Sequence, residues 1–183
     1  MIAGHLGLAG AAHAVRRDSS LVWLLGASMA PDVVDALFVV AGSCNPHGLY
    51  SHTVLAAALI AVVTGAAAYA ATGRRITGVL AVGLVLAHLP LDYVTGRKLF
   101  WPGGELAGLQ LYNYPFADFV VESLLVAGGW WLLRSRGGTP RWATGGLALA
   151  AVLVLQGTLD VLGARNDGVK PSACARAEPA VTS

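Results

Sequence analysis

The sequence predicts an all-α protein, a polytopic membrane bundle of about five to six apolar helices, and three observations carry that expectation. Of 183 residues, 56% are hydrophobic and only 12% charged, and the mean hydropathy of +0.64 lies well above the soluble average. Several apolar runs approach the length that crosses a bilayer, which for a helix is about 20 residues. Seven ionisable side chains, His5, Asp32, Asp35, His47, His52, His88 and Asp92, sit inside or beside those runs, where an unpaired charge is costly and calls for a reason. The net charge of +2 is small, and Lys and Arg occur in scattered pairs with few interleaved aromatics, so no nucleic-acid surface is expected. Cys44 and Cys174 lack CxxC spacing, so neither a zinc ribbon nor a disulfide framework is indicated.

The first run, Ile2 to Val15, has no basic segment before it and is followed by Arg16 and Arg17. It therefore reads as part of the mature chain and not as a cleaved signal peptide. Leu21 to Val40, Thr53 to Ala71, Ile76 to Val94 and Ala143 to Leu162 are near spanning length, whereas Ile2 to Val15 and Phe119 to Leu133 are short and call for tilt, re-entry or local thinning. Gly and Ala recur throughout, the composition that lets helices approach closely where lipid removes any hydrophobic drive to associate. Between Arg97 and Ala117 the chain is polar and aromatic, with Trp101, Pro102, Tyr112, Tyr114 and Pro115. This loop is expected to anchor at the membrane boundary, to cover the site, or to meet a protein partner. Residues 1–164 form the expected membrane domain, and 165–183 a polar, disordered tail.

Basic residues fall at alternate ends of the runs: Arg16 and Arg17, Arg74 and Arg75, then Arg134, Arg136 and Arg141. By the positive-inside rule these loops are expected on the cytoplasmic side of a cell (inner) membrane. Counting about 1.5 Å of rise per residue from these markers places His5, Asp32, Asp35, His52, His88 and Asp92 at roughly 17 to 33 Å. That is one layer in the outer half of the bundle.

Asp32 and Asp35 are spaced i,i+3 after Pro31, so a helix beginning there carries both carboxylates on one face. Two such groups repel, and a divalent cation would explain the pair; a plain helix start, with Pro first and acids in the opening turn, is the alternative. His88 and Asp92 are i,i+4 and share a face, a spacing able to chelate one ion or to satisfy itself as a hydrogen-bonded pair. Imidazole with carboxylate suits zinc first, with manganese or iron as alternatives, better than calcium. In Asn45-Pro46-His47-Gly48-Leu49-Tyr50-Ser51-His52-Thr53, a turn lets His47 fold back while His52 points inward from a helix with Ser51 as the expected cap. One of the two histidines would ligate and the other carry a proton. Asp118 and Glu122, also i,i+4, are candidates for groups beyond the ligands, for substrate contacts, or for simple N-terminal charge bias.

The order Gly-His near the start, Pro-Asp-x-x-Asp, His-x4-Ser-His-Thr, then His-x3-Asp before Trp-Pro resembles the YdjM-like family over Met1 to about Pro102. These are inner-membrane proteins regarded as metal-dependent hydrolases, some described as LexA-binding. The resemblance implies that His5, Asp32, Asp35, His47, His52, His88 and Asp92 hold the metal, with His47, His52 and Asp32 taking part in catalysis. One departure is plain: the family's His-Arg-Gly-x-Thr-His-Ser reads here His47-Gly48-Leu49-Tyr50-Ser51-His52-Thr53, without the arginine that would bind an anion. The His and Asp pattern is also similar to the zinc-dependent phospholipase C and nuclease group, which cleaves phosphate esters.

The expected function is therefore membrane-bound, metal-dependent hydrolysis of an amphiphilic substrate such as a phospholipid or lipid-linked phosphate, by metal-activated water. A non-catalytic scaffold with a structural metal site, and an ion or proton transporter, are the alternatives.

Overall fold

The computed structural model describes residues 2–137 and 140–165. The described residues are mostly helical: α1 (Ile2–Val15), α2 (Leu21–Ser28), α3 (Ala30–Val40), α4 (Val54–Thr72), α5 (Arg75–Thr95), α6 (Pro115–Arg136), α7 (Arg141–Thr144) and α8 (Gly146–Arg165). A short antiparallel hairpin, β1 (Lys98–Leu99) with β2 (Leu106–Ala107), lies between α5 and α6. The expected polar tail falls outside the described residues.

α4, α5 and α6 are each long and apolar enough to cross a membrane. Two apolar runs divide where the sequence suggested continuity. Leu21 to Val40 breaks at Met29 into α2 and α3, bent by 57°. Pro31 accounts for the break, because it lacks an N–H and its ring clashes with the carbonyl four residues back. The last run opens with the separate turn α7 before α8. The fifth is longer than its apolar stretch, since Pro115 starts α6 and carries it to Arg136.

Side-chain size is distributed as lipid packing requires. α4 buries only Ala57, Ala61, Gly65 and Ala68, a stripe of small residues at helical spacing, while Leu55, Leu59, Val62 and Val63 face outward. Ala27, Ala61, Ala68, Ala81 and Val85 make the core where α2, α4 and α5 meet. With hydrocarbon outside, burying large apolar groups gains little, and close backbone contact gains more. Glycine permits it twice. A Cβ added to Gly129 of α6 would lie 2.0 Å from the Gly7 carbonyl oxygen of α1, and one on Gly78 of α5 would lie 2.9 Å from the Gly65 carbonyl oxygen of α4.

At one end of the bundle Arg17, Arg74, Pro140 and Trp142 line a common recess, and Arg74 donates to the Asp18 carbonyl at 3.2 Å. The three basic loops thus gather together.

Candidate metal centre

Three local devices aim the polar side chains at one point. The break at Met29 starts α3 afresh, so that Asp32 falls in its first turn and Asp35 one turn on. After α3, the 3-10 turn Pro46–Gly48 reverses the chain with His47 at φ 50° and Gly48 at φ 76°. Gly48 is needed twice over: the left-handed backbone favours it, and a Cβ there would lie 2.9 Å from the Cβ of His52. The amide of His52 donates back to the Gly48 carbonyl at 2.7 Å, closing the turn. Thr53, and not Ser51, caps α4, its Oγ1 accepting from the Ala56 amide. On α5, His88 and Asp92 share a face across Pro90.

The far nitrogen of each central imidazole is tied down. His88 Nδ1 lies 2.9 Å from the Ser28 carbonyl. A carbonyl can only accept, so Nδ1 carries a proton, and in the neutral imidazole Nε2 then presents its lone pair inward. His52 reaches the same state through two hydroxyl contacts: Ser51 Oγ donates to Asp35 Oδ1 at 2.5 Å and lies 2.6 Å from His52 Nδ1, from which it accepts. Asn45 Nδ2 donates to Asp35 and to Ser51 Oγ, holding the carboxylate in place. Carboxylate or carbonyl behind imidazole is the arrangement that orients histidine toward a metal. His5 does for Asp92 what Ser28 and Asp35 do for the histidines. Its Nε2 lies 3.1 Å from Asp92 Oδ1, and its ring stacks on His88 at 3.7 Å between centroids.

What remains facing inward is His52 Nε2, His88 Nε2, Asp92 Oδ2 and Asp32. The Nε2 atoms are 3.2 Å apart; Asp92 Oδ2 lies 2.8 Å and 3.5 Å from them, and Asp32 Oδ1 3.6 Å from each. One ligand atom from each of the four residues falls within 4.8 Å of all the others. Arms of about 2.1 Å, usual for zinc with nitrogen or oxygen, give a tetrahedron with edges of about 3.4 Å. The observed separations bracket that edge. Asp32 Oδ2 is moreover buried without a hydrogen-bond partner among the described residues, a costly state for a carboxylate oxygen. The donor set fits a divalent ion.

Of the seven residues singled out by sequence, four form this cluster, His5 touches it through Asp92, and Asp35 holds the outer nitrogen of His52, its Oδ2 3.4 Å away. His47 stays in the turn, outside the group of four. His5, His52, His88, Asp92 and Ser51 are buried and His47 is exposed, whereas the Asp32 and Asp35 side chains are 29% and 31% exposed. The centre is therefore open on the α3 flank.

Sequence reasoning missed Asn45 and the Ser28 carbonyl, which nothing but the fold brings near. It left Glu122 open. Glu122 Oε2 accepts from the Ala3 and Gly4 amides at 2.9 and 3.4 Å, and Gln156 Oε1 from the Ala3 amide at 3.2 Å. α6 and α8 thus cap the start of α1 and set the depth of His5.

A helical membrane protein with a buried two-histidine, two-aspartate cluster is the class these features define. The model of the YdjM inner membrane protein family matches residues 1–161, so the chain belongs to that family. No curated protein and no solved structure gives a match.

Proposed function

We propose that the protein is a membrane-bound, metal-dependent hydrolase acting on an amphiphilic substrate such as a phospholipid or lipid-linked phosphate. The observation that carries this reading is the orientation of the cluster. Both Nε2 lone pairs and Asp92 are held inward by residues that take no part in ligation, while Asp32 faces an opening. A divalent ion, zinc first and manganese or iron next, would be held by Asp32, His52, His88 and Asp92. It would supply Lewis acidity and make water a nucleophile near neutral pH. The chain's own part is positional and protic. Asp32, the least enclosed of the four, accepts the proton of the attacking water. His47, in the turn that packs against His52, returns a proton to the leaving alcohol as the ester bond to phosphorus breaks. Asp35, Ser51, Asn45 and His5 keep the geometry rigid.

A second reading has one observation in its favour. Four protein ligands complete a tetrahedron, the number used by structural zinc, whereas catalytic zinc keeps a position open. A non-catalytic scaffold would then use the ion as a staple.

The experiment is elemental mass spectrometry of the detergent-purified protein beside an Asp32→Ala, His88→Ala double variant, followed by phosphoester, ester and amide lipid panels. One or two equivalents of metal lost in the variant, with turnover of a phosphoester lipid, is the expected outcome. Bound metal with an inert panel favours the staple. Absence of metal after reconstitution overturns both readings.

A further inference from the structure

The turn that delivers His52 holds no Lys or Arg between Asn45 and Thr53, so an anionic substrate would find no cation there. The β-hairpin provides one. Lys98 stands at the start of β1 with Nζ 3.7 Å from Asp35 Oδ2, its side chain 23% exposed, on the same flank where Asp32 and Asp35 open to the outside. It is the Lys or Arg that pairs with a carboxylate of this centre among the described residues.

Its backbone is fixed to the site from three directions. Lys98 pairs with Ala107 and Leu99 with Leu106 in the hairpin. The Phe100 carbonyl accepts from the Val54 amide at 3.1 Å, at the entry to α4. The Tyr93 hydroxyl lies 3.3 Å from the His52 carbonyl and 3.1 Å from that of Leu99, tying the hairpin to the turn beside the cluster. Gly108 packs so closely under the hairpin that a Cβ would lie 1.9 Å from the Gly96 carbonyl oxygen. The hairpin cannot drift without disturbing His52.

The contact with Asp35 leaves the ammonium group capacity to spare. At 3.7 Å the pair is an ion contact beyond hydrogen-bond length. Asp35 already accepts from Asn45 and Ser51 through Oδ1. Three ammonium protons on a flexible stem therefore remain for a group entering from the open flank, and a lysine acts toward phosphate as a compact point charge.

We propose that Lys98 is the anion-recognising residue of the centre, binding a non-bridging oxygen of a phosphate ester that enters between α3 and the hairpin. The inference rests on the metal reading above and narrows its substrate to one bearing a phosphate.

The test uses the protein loaded with cobalt(II), whose visible absorption reports ligands arriving at the metal, in wild type and in Lys98→Gln and Lys98→Arg. Metal stoichiometry is measured first, then titrations with inorganic phosphate and with neutral imidazole. All three proteins are expected to hold cobalt equally. Phosphate affinity should fall roughly tenfold or more in Lys98→Gln and recover largely in Lys98→Arg, while imidazole affinity stays level, since only the charged ligand meets the ammonium group. Equal phosphate affinity in wild type and Lys98→Gln overturns the proposal and leaves the metal reading standing. Parallel loss of phosphate and imidazole also overturns it, because Lys98 would then only support Asp35. A wild type that takes up no cobalt removes the metal reading itself, and the inference with it. Short-chain phosphatidic acid against inorganic phosphate in the same assay then separates a lipid headgroup from free phosphate.

Discussion

Two polar clusters lie in this apolar bundle, and they solve the burial of charge in different ways. In the centre between α3, α4 and α5, carboxylates and imidazoles alternate, each imidazole has its outer nitrogen held, and the inward atoms have only one another. Where α6 and α8 approach the start of α1 the ionisable groups are the acids Asp118, Glu122 and Asp160, while Arg134 and Arg136 lie in the last turn of α6. Glu122 is taken up by backbone amides of α1, Asp160 Oδ1 accepts from Gln156 at 2.6 Å, and both oxygens of buried Asp118 lack a hydrogen-bond partner among the described residues. Mixed donors with fixed tautomers suit an ion; a carboxylate spent on helix-end amides suits a joint between helices. The first cluster is built to hold something, the second to hold α1.

Breaking the centre should produce the largest effect. Asp92→Ala removes the carboxylate that His5, His52 and His88 all contact, and loss of one partner from such a buried set costs about 3 to 5 kcal/mol. Complete loss of metal and a sharply lowered melting temperature in detergent are expected. Next comes the joint itself. Gly129→Ala forces a Cβ onto the Gly7 backbone, and such overpacking costs about 1 to 3 kcal/mol. If the two clusters are coupled through α1, metal affinity should fall along with stability.

Glu122→Ala sharpens the distinction. It removes the cap from the Ala3 and Gly4 amides, a loss of about 0.5 to 2 kcal/mol, yet metal stoichiometry at saturation should remain that of wild type. Metal lost outright would make the acid cluster part of the centre. His5→Ala leaves all four candidate ligands in place but frees Asp92 Oδ1, and metal affinity should drop about 10- to 100-fold, as for other groups that orient ligands. Smallest is Ser51→Ala, which breaks the bridge from Asp35 to His52 at about 1 kcal/mol. It should weaken metal binding only a few-fold in a competition titration.

Much of the centre was legible because its residues are costly where they stand. Asp32, His52, His88 and Asp92 drew attention as ionisable groups in apolar runs, and the i,i+4 spacing of His88 and Asp92 was sufficient to put them on one face. Asp35 was legible as a participant, though its contact with the outer nitrogen of His52 was not. Ser51 was read as a cap, since a serine just before a helix ordinarily is one. Thr53 takes that place, and Ser51 turns to the imidazole beside it. Lys98 was not legible as part of the centre, because nothing local links it to Asp35, 63 positions earlier.

What the amino-acid sequence determined by itself is therefore the medium, the helices and the chemistry of the site. Apolar runs of spanning length, glycines for close approach and a few ionisable groups too costly to be incidental are all local properties. The tertiary structure decided which polar groups became partners. The Ser28 carbonyl meets His88 because α2 ends at Met29, and Glu122 meets the start of α1 because Gly7 and Gly129 let two helices touch. Hydrogen bonds act over about 3 Å, so the state of each imidazole waited on contacts that only packing could bring within that distance.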